Sequence, residues 1–194
     1  MARPREFNVT KAIEKATDVF WAQGYQDASL PDLLRGMGLT RGSLYKAFKD
    51  KKNLFLIVLD HYEKVAVDAA VTHLTNSDTA DGKARILSFF AGIYQAVSRG
   101  DQRGCLLCTA AAGPEMDDPD IAKSVHQGLA KMQSALQTAL CASPAHSRLN
   151  PTDRLLLANV LLTHYIGLRV LARSQLHLGV LENSVSGVEG ILRA

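Results

Sequence analysis

Residues 29–55, SLPDLLRGMGLTRGSLYKAFKDKKNLF, decide how the rest of the chain is read. Ser29 is placed to cap a helix, and Asp32 stands three positions on, where an acidic side chain answers the cap with a bond to the backbone. Leu30, Leu33 and Leu34 give that helix one apolar face. Gly36 and Gly38 break it, and Gly38 can take the left-handed conformation that a tight turn needs. Thr40 caps a second short helix that carries Arg41, Gly42, Ser43, Tyr45 and Lys46 outward and turns Leu39, Leu44 and Phe48 inward. Two short helices across a glycine turn, the second one basic and hydroxyl-rich outside, match a helix-turn-helix, whose second helix enters the major groove of DNA.

Working downstream, Asp50 caps a further helix, with Leu54, Phe55, Val58 and Leu59 on one face. Lys51 and Lys52 occupy its first turn, where they oppose the helix dipole at a cost of several tenths of a kcal/mol. That placement makes sense if lysines and helix N–H groups together grip a phosphate. The helix pattern continues to about His73. Upstream, Val9, Ala12, Ile13, Ala16, Val19 and Phe20 recur at helical spacing behind Asn8, a cap, and the pattern ends near Gly24. Trp21 and Tyr25 read as packing residues. A three-helix unit around Phe20, Leu33, Leu44 and Phe48 follows. Ahead of it, Arg3, Pro4 and Arg5 offer an arm toward phosphate or minor groove, or a frayed end.

Charge is distributed in keeping with this reading. The chain of 194 residues carries a net charge of +3. All of that excess lies in residues 1–60, with ten Lys/Arg against seven Asp/Glu, whereas residues 61–194 hold twelve of each. Between 33 and 52 six basic residues (Arg35, Arg41, Lys46, Lys49, Lys51, Lys52) face one acidic residue, Asp50. A basic patch on an otherwise neutral protein is the footprint of phosphate contact.

The remainder is helical and apolar. A polar break at Asn76–Gly82 precedes a helix from Lys83 to about Ser98. GDQRG ends it at Gly104, and a short apolar helix, CLLCTAAA, follows and stops at Gly113-Pro114. The acidic loop EMDDPD leads to a helix at about 120–141, a loop at Ser143–Pro151, a long apolar helix from Pro151, and a last helix from about Val180 to Leu192. The helix Thr152–Ser174 is apolar on more than one face, which suits one side to the core and the other to a second subunit, with Gly167 allowing close approach. The predicted fold is all-α, about nine helices, with a helix-turn-helix domain at 1–50 and a helical effector and dimerisation domain at 51–194. With 47% hydrophobic residues and six prolines the chain can bury a substantial core. No apolar run of membrane-spanning length stands out, and charges interrupt the first sixteen residues throughout, unlike a secretory signal. Three cysteines, an odd count, point to reduced thiols in a cytoplasm.

The motif GLTRGSLYKAFKDKKNLF (38–55) resembles the TetR family of one-component regulators in its glycine, turn, Leu-Tyr, Phe, Lys and Leu pattern. GYQDASLPDLL (24–34) is similar to that family's second-helix entry, and GCLL at 104 and HYIGLRVLAR at 164 fit its larger domain. The resemblance implies a homodimer that binds double-stranded operator DNA through its first three helices and a small-molecule effector among the later ones, most often as a repressor. It implies that Thr40, Arg41, Gly42, Ser43 and Lys46 approach bases and backbone, that Tyr45 touches phosphate or a thymine methyl, that Lys51 meets a phosphate, and that Lys49 joins the same surface. Ala47 stands where many members carry a polar or aromatic residue, which implies one missing phosphate contact. Leu34 and Gly36 stand where alanine is frequent, which implies a second helix that sits or ends differently.

At the effector end, Cys105 and Cys108 share a helix face just after Arg103 and Gly104, where a helix start and a cation lower a thiol pKa. Release of DNA by thiol modification is then one reading and plain core packing the other, the latter being the ordinary role of buried cysteine. His164 and Tyr165 are candidate pocket residues. A lone C-x-x-C without a second ligand pair makes no metal site, and His126, His164 and His177 have no ligand spacing. Neither metal nor cofactor is expected. A cysteine-dependent α-helical enzyme lacks a catalytic partner arrangement; a dimeric helical adaptor without DNA binding is the other rival.

Overall fold

A computed structural model describes residues 7–78 and 81–193, and every regular element among them is helical. The first helices are set by polar caps. In α1 (Val9–Gln23) the Asn8 side chain accepts the Lys11 N–H at 3.0 Å. In α2 (Leu30–Met37) the Ser29 hydroxyl accepts the Asp32 N–H at 3.2 Å, and the Asp32 carboxylate accepts the Ser29 hydroxyl proton rather than a backbone N–H. Thr40 Oγ1 accepts the Ser43 N–H at 3.3 Å to open α3 (Arg41–Phe48). Asp50 opens α4 (Lys51–Tyr62), accepting the Asn53 backbone N–H at 2.8 Å and its side-chain amide at 2.9 Å.

Gly36 does not break α2, contrary to the sequence reading. The helix runs through it to Met37, and Gly38 alone makes the turn, at φ 67° and ψ 33°. Gly36 instead lets α2 lie against α1: a Cβ there would sit 2.5 Å from Val19 Cγ2. Phe20, Leu33 and Leu44 are fully buried, Phe48 nearly so, and they form the centre of the three-helix unit. α4 closes that unit from below, with the Phe55 ring 4.9 Å from Phe20 and 4.7 Å from Tyr25.

α4 passes without interruption through one π turn (Glu63–Val67) into α5 (Asp68–Thr75), slightly beyond the expected end. The chain continues through α6 (Gly82–Ser98), α7 (Leu106–Ala111), a 3-10 turn (Pro114–Asp117), α8 (Pro119–Cys141), α9 (Pro151–Arg173) and α10 (Leu178–Ile191). With α4 to α5 taken as one rod, the described residues make nine helices. α8 packs along both α5 and α9, and α6 lies against α5, α8 and α10. The acidic EMDDPD is not an open loop: Pro114 starts a 3-10 turn that buries Glu115.

α9 corrects one expectation. By length and composition it could cross a membrane, with mean hydropathy 1.6 over its most apolar stretch. Ala158, Leu161, Tyr165, Leu168 and Ala172 of that helix are buried in the bundle, while Leu155, Leu156, Val160 and Val170 are exposed on another side. The two-faced pattern seen in the sequence is this division. Arg3, Pro4 and Arg5 lie outside the described residues, as do Thr79 and Ala80 of the polar break.

Candidate functional site

The outer face of α3 is left open to solvent by the other described elements. Thr40, Arg41, Gly42, Tyr45, Lys46 and Lys49 are exposed and Ser43 is half-buried. Leu44 and Phe48, one turn apart on the other side, fix the helix to the core. Arg41 lies 5.7 Å over the Tyr45 ring, and the Thr40 and Ser43 hydroxyls are 3.0 Å apart. A Cβ at Gly42 would meet nothing within 4 Å, so the backbone there is open to close approach. Among the described residues Arg41, Lys46 and Lys49 enter no ion pair. Lys49 leaves the helix at φ 66°, ψ −60°, a strained classic γ-turn closed by the Asp50 N–H donating to the Phe48 carbonyl at 2.8 Å. Ala47 is exposed on the same helix.

The two lysines at the head of α4 are differently placed. Lys51 Nζ donates to the Gln26 carbonyl at 3.2 Å and lies 4.7 Å over the Tyr25 ring; burial lowers its pKa, against the opposing charges of Glu115 and Asp27. Lys52 is paired with Asp118 at 2.7 Å and Asp120 at 2.8 Å, and these bonds raise its pKa. Lys52 is therefore not part of a free two-lysine phosphate grip. It joins α4 to the start of α8. Sequence spacing could not show this, because the two carboxylates lie more than sixty residues away.

The second candidate site is internal. Cys105 and Cys108 are 2% and 3% exposed, at the beginning of α7. Tyr62 from the end of α4, and Tyr165 and Arg169 from α9, surround them. The Cys108 thiol pulls the Cys105 pKa down most strongly; burial opposes this, and the Tyr62 hydroxyl, the Cys108 amide and the Tyr165 hydroxyl add to it. Cys108 shifts the other way, because its interaction as donor with the Cys105 sulfur, then burial, then the charge on Cys105 keep its proton in place, against the nearby Arg169 cation. Burial and the Cys105 charge push both tyrosines well up, so each remains a hydroxyl donor. Arg169 supplies the cation. It also donates to the Gly104 carbonyl, and its Nε is buried without a partner.

Two spaces adjoin this cluster. A cavity of about 140 Å³ is walled by Trp21, Tyr62, Phe89, Met132, Tyr165 and Arg169. A cleft of about 300 Å³ between α7 and α9 is lined by Cys108, Thr109, Ala112, Arg169 and Arg173 among others. His164 belongs to neither: its Nε2 lies 2.8 Å from the Ser184 carbonyl of α10, and its ring packs on Phe90. The four effector candidates thus separate, with Tyr165 joining the cysteines and His164 facing another helix. Tyr62, Arg169 and Trp21 were missed, and no local motif links them to Cys105.

The cluster is tied to α1. Arg103 stacks 3.9 Å over the Trp21 ring and pairs with Asp18 at 3.2 Å, while Asp101 holds its other edge. Arg173 donates to the carbonyls of Trp21 at 2.9 Å and Ala22 at 3.1 Å, in the last turn of α1. Gly104, at φ 75°, allows this closeness: a Cβ there would lie 2.7 Å from the Arg169 carbonyl. No group of three or more His, Cys, Asp or Glu side chains that could hold a metal ion occurs among the described residues.

Comparison with known proteins agrees with the arrangement. The profile of bacterial regulatory proteins of the tetR family matches residues 12–58. The HTH-type transcriptional repressor ComR of Escherichia coli is 29% identical over 151 residues, covering 77% of this chain and 71% of that one. The HTH-type transcriptional repressor BdcR, also of Escherichia coli, is 29% identical over 119 residues, 60% of this chain and 57% of that one. A cysteine mutant of the TetR family regulator CifR, solved with a 26-base-pair double-strand operator, superposes with a TM-score of 0.80 at 28% identity and 99% coverage of both chains.

Proposed function

We propose that the chain is a member of the TetR family of bacterial regulatory proteins, whose profile it matches over residues 12–58, and from that premise we infer how its parts share the work. It is a DNA-binding transcriptional regulator that acts as a homodimer on double-stranded operator DNA. Residues 1–50 are the DNA-binding domain in this reading, and 51–194 take up the effector and the second subunit. Thr40, Arg41, Gly42, Ser43, Tyr45, Lys46 and Lys49 face the major groove and its backbone, and Lys51 reaches a phosphate at the head of α4. Arg41 reads a base, because a guanidinium pairs with two acceptors of guanine at once. The second copy covers the apolar side of α9, and the two-fold dimer spans a near-palindromic operator.

The observation that carries this reading is the free, basic outer face of α3. Cations that lack internal partners, beside a backbone open at Gly42, are complementary to phosphate and groove edges. Repression is the sense of control, in keeping with ComR and BdcR, both named repressors. The signal for release is a small molecule in the cavity beside Tyr62 and Tyr165, or a change at the thiols. Its place is the cytoplasm, with the chromosome. Catalysis is not assigned, since tyrosines and an arginine surround Cys105 rather than a general base.

The test is binding of the purified protein to the DNA beside its own gene, measured at several salt concentrations. One preferred site should emerge, with log K falling linearly with log salt. Equal affinity for all sequences, or binding indifferent to salt, refutes the reading.

A further inference from the structure

We propose that the cavity walled by α1, α4, α6, α8 and α9 is a binding site for a small aromatic monocarboxylate, whose carboxylate is held by Arg169 and the indole N–H of Trp21. This deepens the effector reading above by naming the ligand's class; its effect on DNA rests on that reading, whereas the binding does not. Two donors on the wall are left over by the fold. Trp21 Nε1 and Arg169 Nε are each buried without a partner, and both residues line the cavity. Arg85 and Arg154 also have an unpartnered Nε. What distinguishes Arg169 is a second orphan N–H at the same cavity. Arg169 pairs with no carboxylate among the described residues, and it donates to the Gly104 carbonyl. A buried N–H calls for an acceptor and a part-buried cation for an anion. A carboxylate supplies both in one group.

The rest of the wall selects the body of the ligand. Phe89, Ile93 and Met132 line the cavity together with Tyr62 and Tyr165, and the Phe89 and Tyr165 rings stand 5.6 Å apart, centre to centre. Such a wall receives an aromatic ring edge-on or offset, and a methionine sulfur adds to that contact. The volume is about 140 Å³, close to the ~150 Å³ that holds one benzene ring. A single ring therefore fits, and a fused or long-chain body does not. Among the described residues no acidic side chain lines the cavity to repel an anion. The carboxylate lies at the Arg169 wall, which the cavity shares with the cleft between α7 and α9, and that cleft is the way in.

A ligand so placed touches both parts of the chain. Trp21 stands in the last turn of α1, Tyr62 ends α4, and Tyr165 and Arg169 belong to α9. Trp21 is also clamped by Arg103, stacked 3.9 Å over its ring, and by Arg173, which donates to its carbonyl at 2.9 Å. A carboxylate that takes the indole N–H and draws Arg169 from the Gly104 carbonyl shifts the adjoining Arg103, and with it the end of α1. The DNA-competent arrangement loses population to the extent that the ligand binds the shifted one more tightly.

Trp21 is the one tryptophan of the sequence, so its fluorescence reports the site directly. The full chain is titrated with benzoate and, separately, with benzyl alcohol, which has the same ring and no charge. Expected is a saturable change of emission with benzoate and at least tenfold weaker binding of the alcohol. Calorimetry reads the variants. Trp21→Phe should weaken benzoate at least threefold, and Ala70→Leu, which fills the cavity, should abolish its binding. Arg169→Gln should bring benzoate down to the level of the alcohol; if that variant does not fold, the two probes on the unaltered chain still test the charge. No benzoate binding, equal binding of the two probes, or full benzoate affinity in Ala70→Leu overturns the site. Operator affinity, read on the same sample at saturating benzoate, should fall at least fivefold. Benzoate binding with operator affinity unchanged overturns the ligand's role as a signal. Protein that takes benzoate but binds no operator sinks the regulator reading and leaves the site standing.

Discussion

The face of α3 and the cluster at Cys105 hold their charges in opposite ways. On α3, Arg41, Lys46 and Lys49 project into solvent from a single short stretch, and none has an ion-pair partner among the described residues. Around Cys105 the groups come from three separate helices, are largely out of water, and set one another's protonation. Charge on a surface costs little to leave free, so it can wait for a partner. Charge in the interior has to be matched when the chain folds. The first region is suited to recognition and the second to response, because a change at one interior group forces its neighbours to adjust.

Substituting one arginine in each region tests that contrast. Arg169→Met should be the most damaging, costing about 3 kcal/mol of stability by leaving its buried partners uncompensated, which lowers Tm by roughly 6–12 °C for a chain of this size. Thermal unfolding checks it, and an unchanged Tm would erase the distinction between the regions. Arg41→Ala should leave Tm alone and remove about 1–3 kcal/mol of discrimination between operator and scrambled DNA; unchanged operator preference would take Arg41 out of base reading. Gly36→Ala sharpens the comparison from within the three-helix unit, where the added methyl meets Val19 and overpacks at a cost of about 1–2 kcal/mol. Chemical denaturation reads that loss. Lys51→Ala should have the smallest effect, weakening all DNA sequences alike and reducing the salt slope by about 0.9, one phosphate's share.

Legibility followed the same contrast. The caps Asn8, Ser29, Thr40 and Asp50, the turn at Gly38 and the inward set Leu33, Leu44 and Phe48 could be read directly, because each depends on residues within one or two helical turns. Gly36 was misread as a breaker since a helix-interior glycine and a helix-ending one look alike until the neighbouring helix is in place. Lys52 was assigned to phosphate because its carboxylate partners, Asp118 and Asp120, come from the far side of the chain. Cys105 and Cys108 were visible as a pair. That Tyr62, Tyr165 and Arg169 polarise them was not, since only packing of α4, α7 and α9 brings those side chains together.

The π turn at Glu63–Val67 sets the phase of the rod between these regions. It is the wider turn of a helix holding one surplus residue, directly after Tyr62 and inside the segment that runs unbroken from the three-helix unit into the bundle. Absorbing that residue into ordinary α geometry would rotate α4 by about 100° relative to α5 and move it by about 1.5 Å. A turn of that size would carry Leu54, Phe55, Val58 and Leu59 out of the core, so the surplus residue is what lets the buried faces of α4 and α5 each meet their own neighbours on one continuous rod.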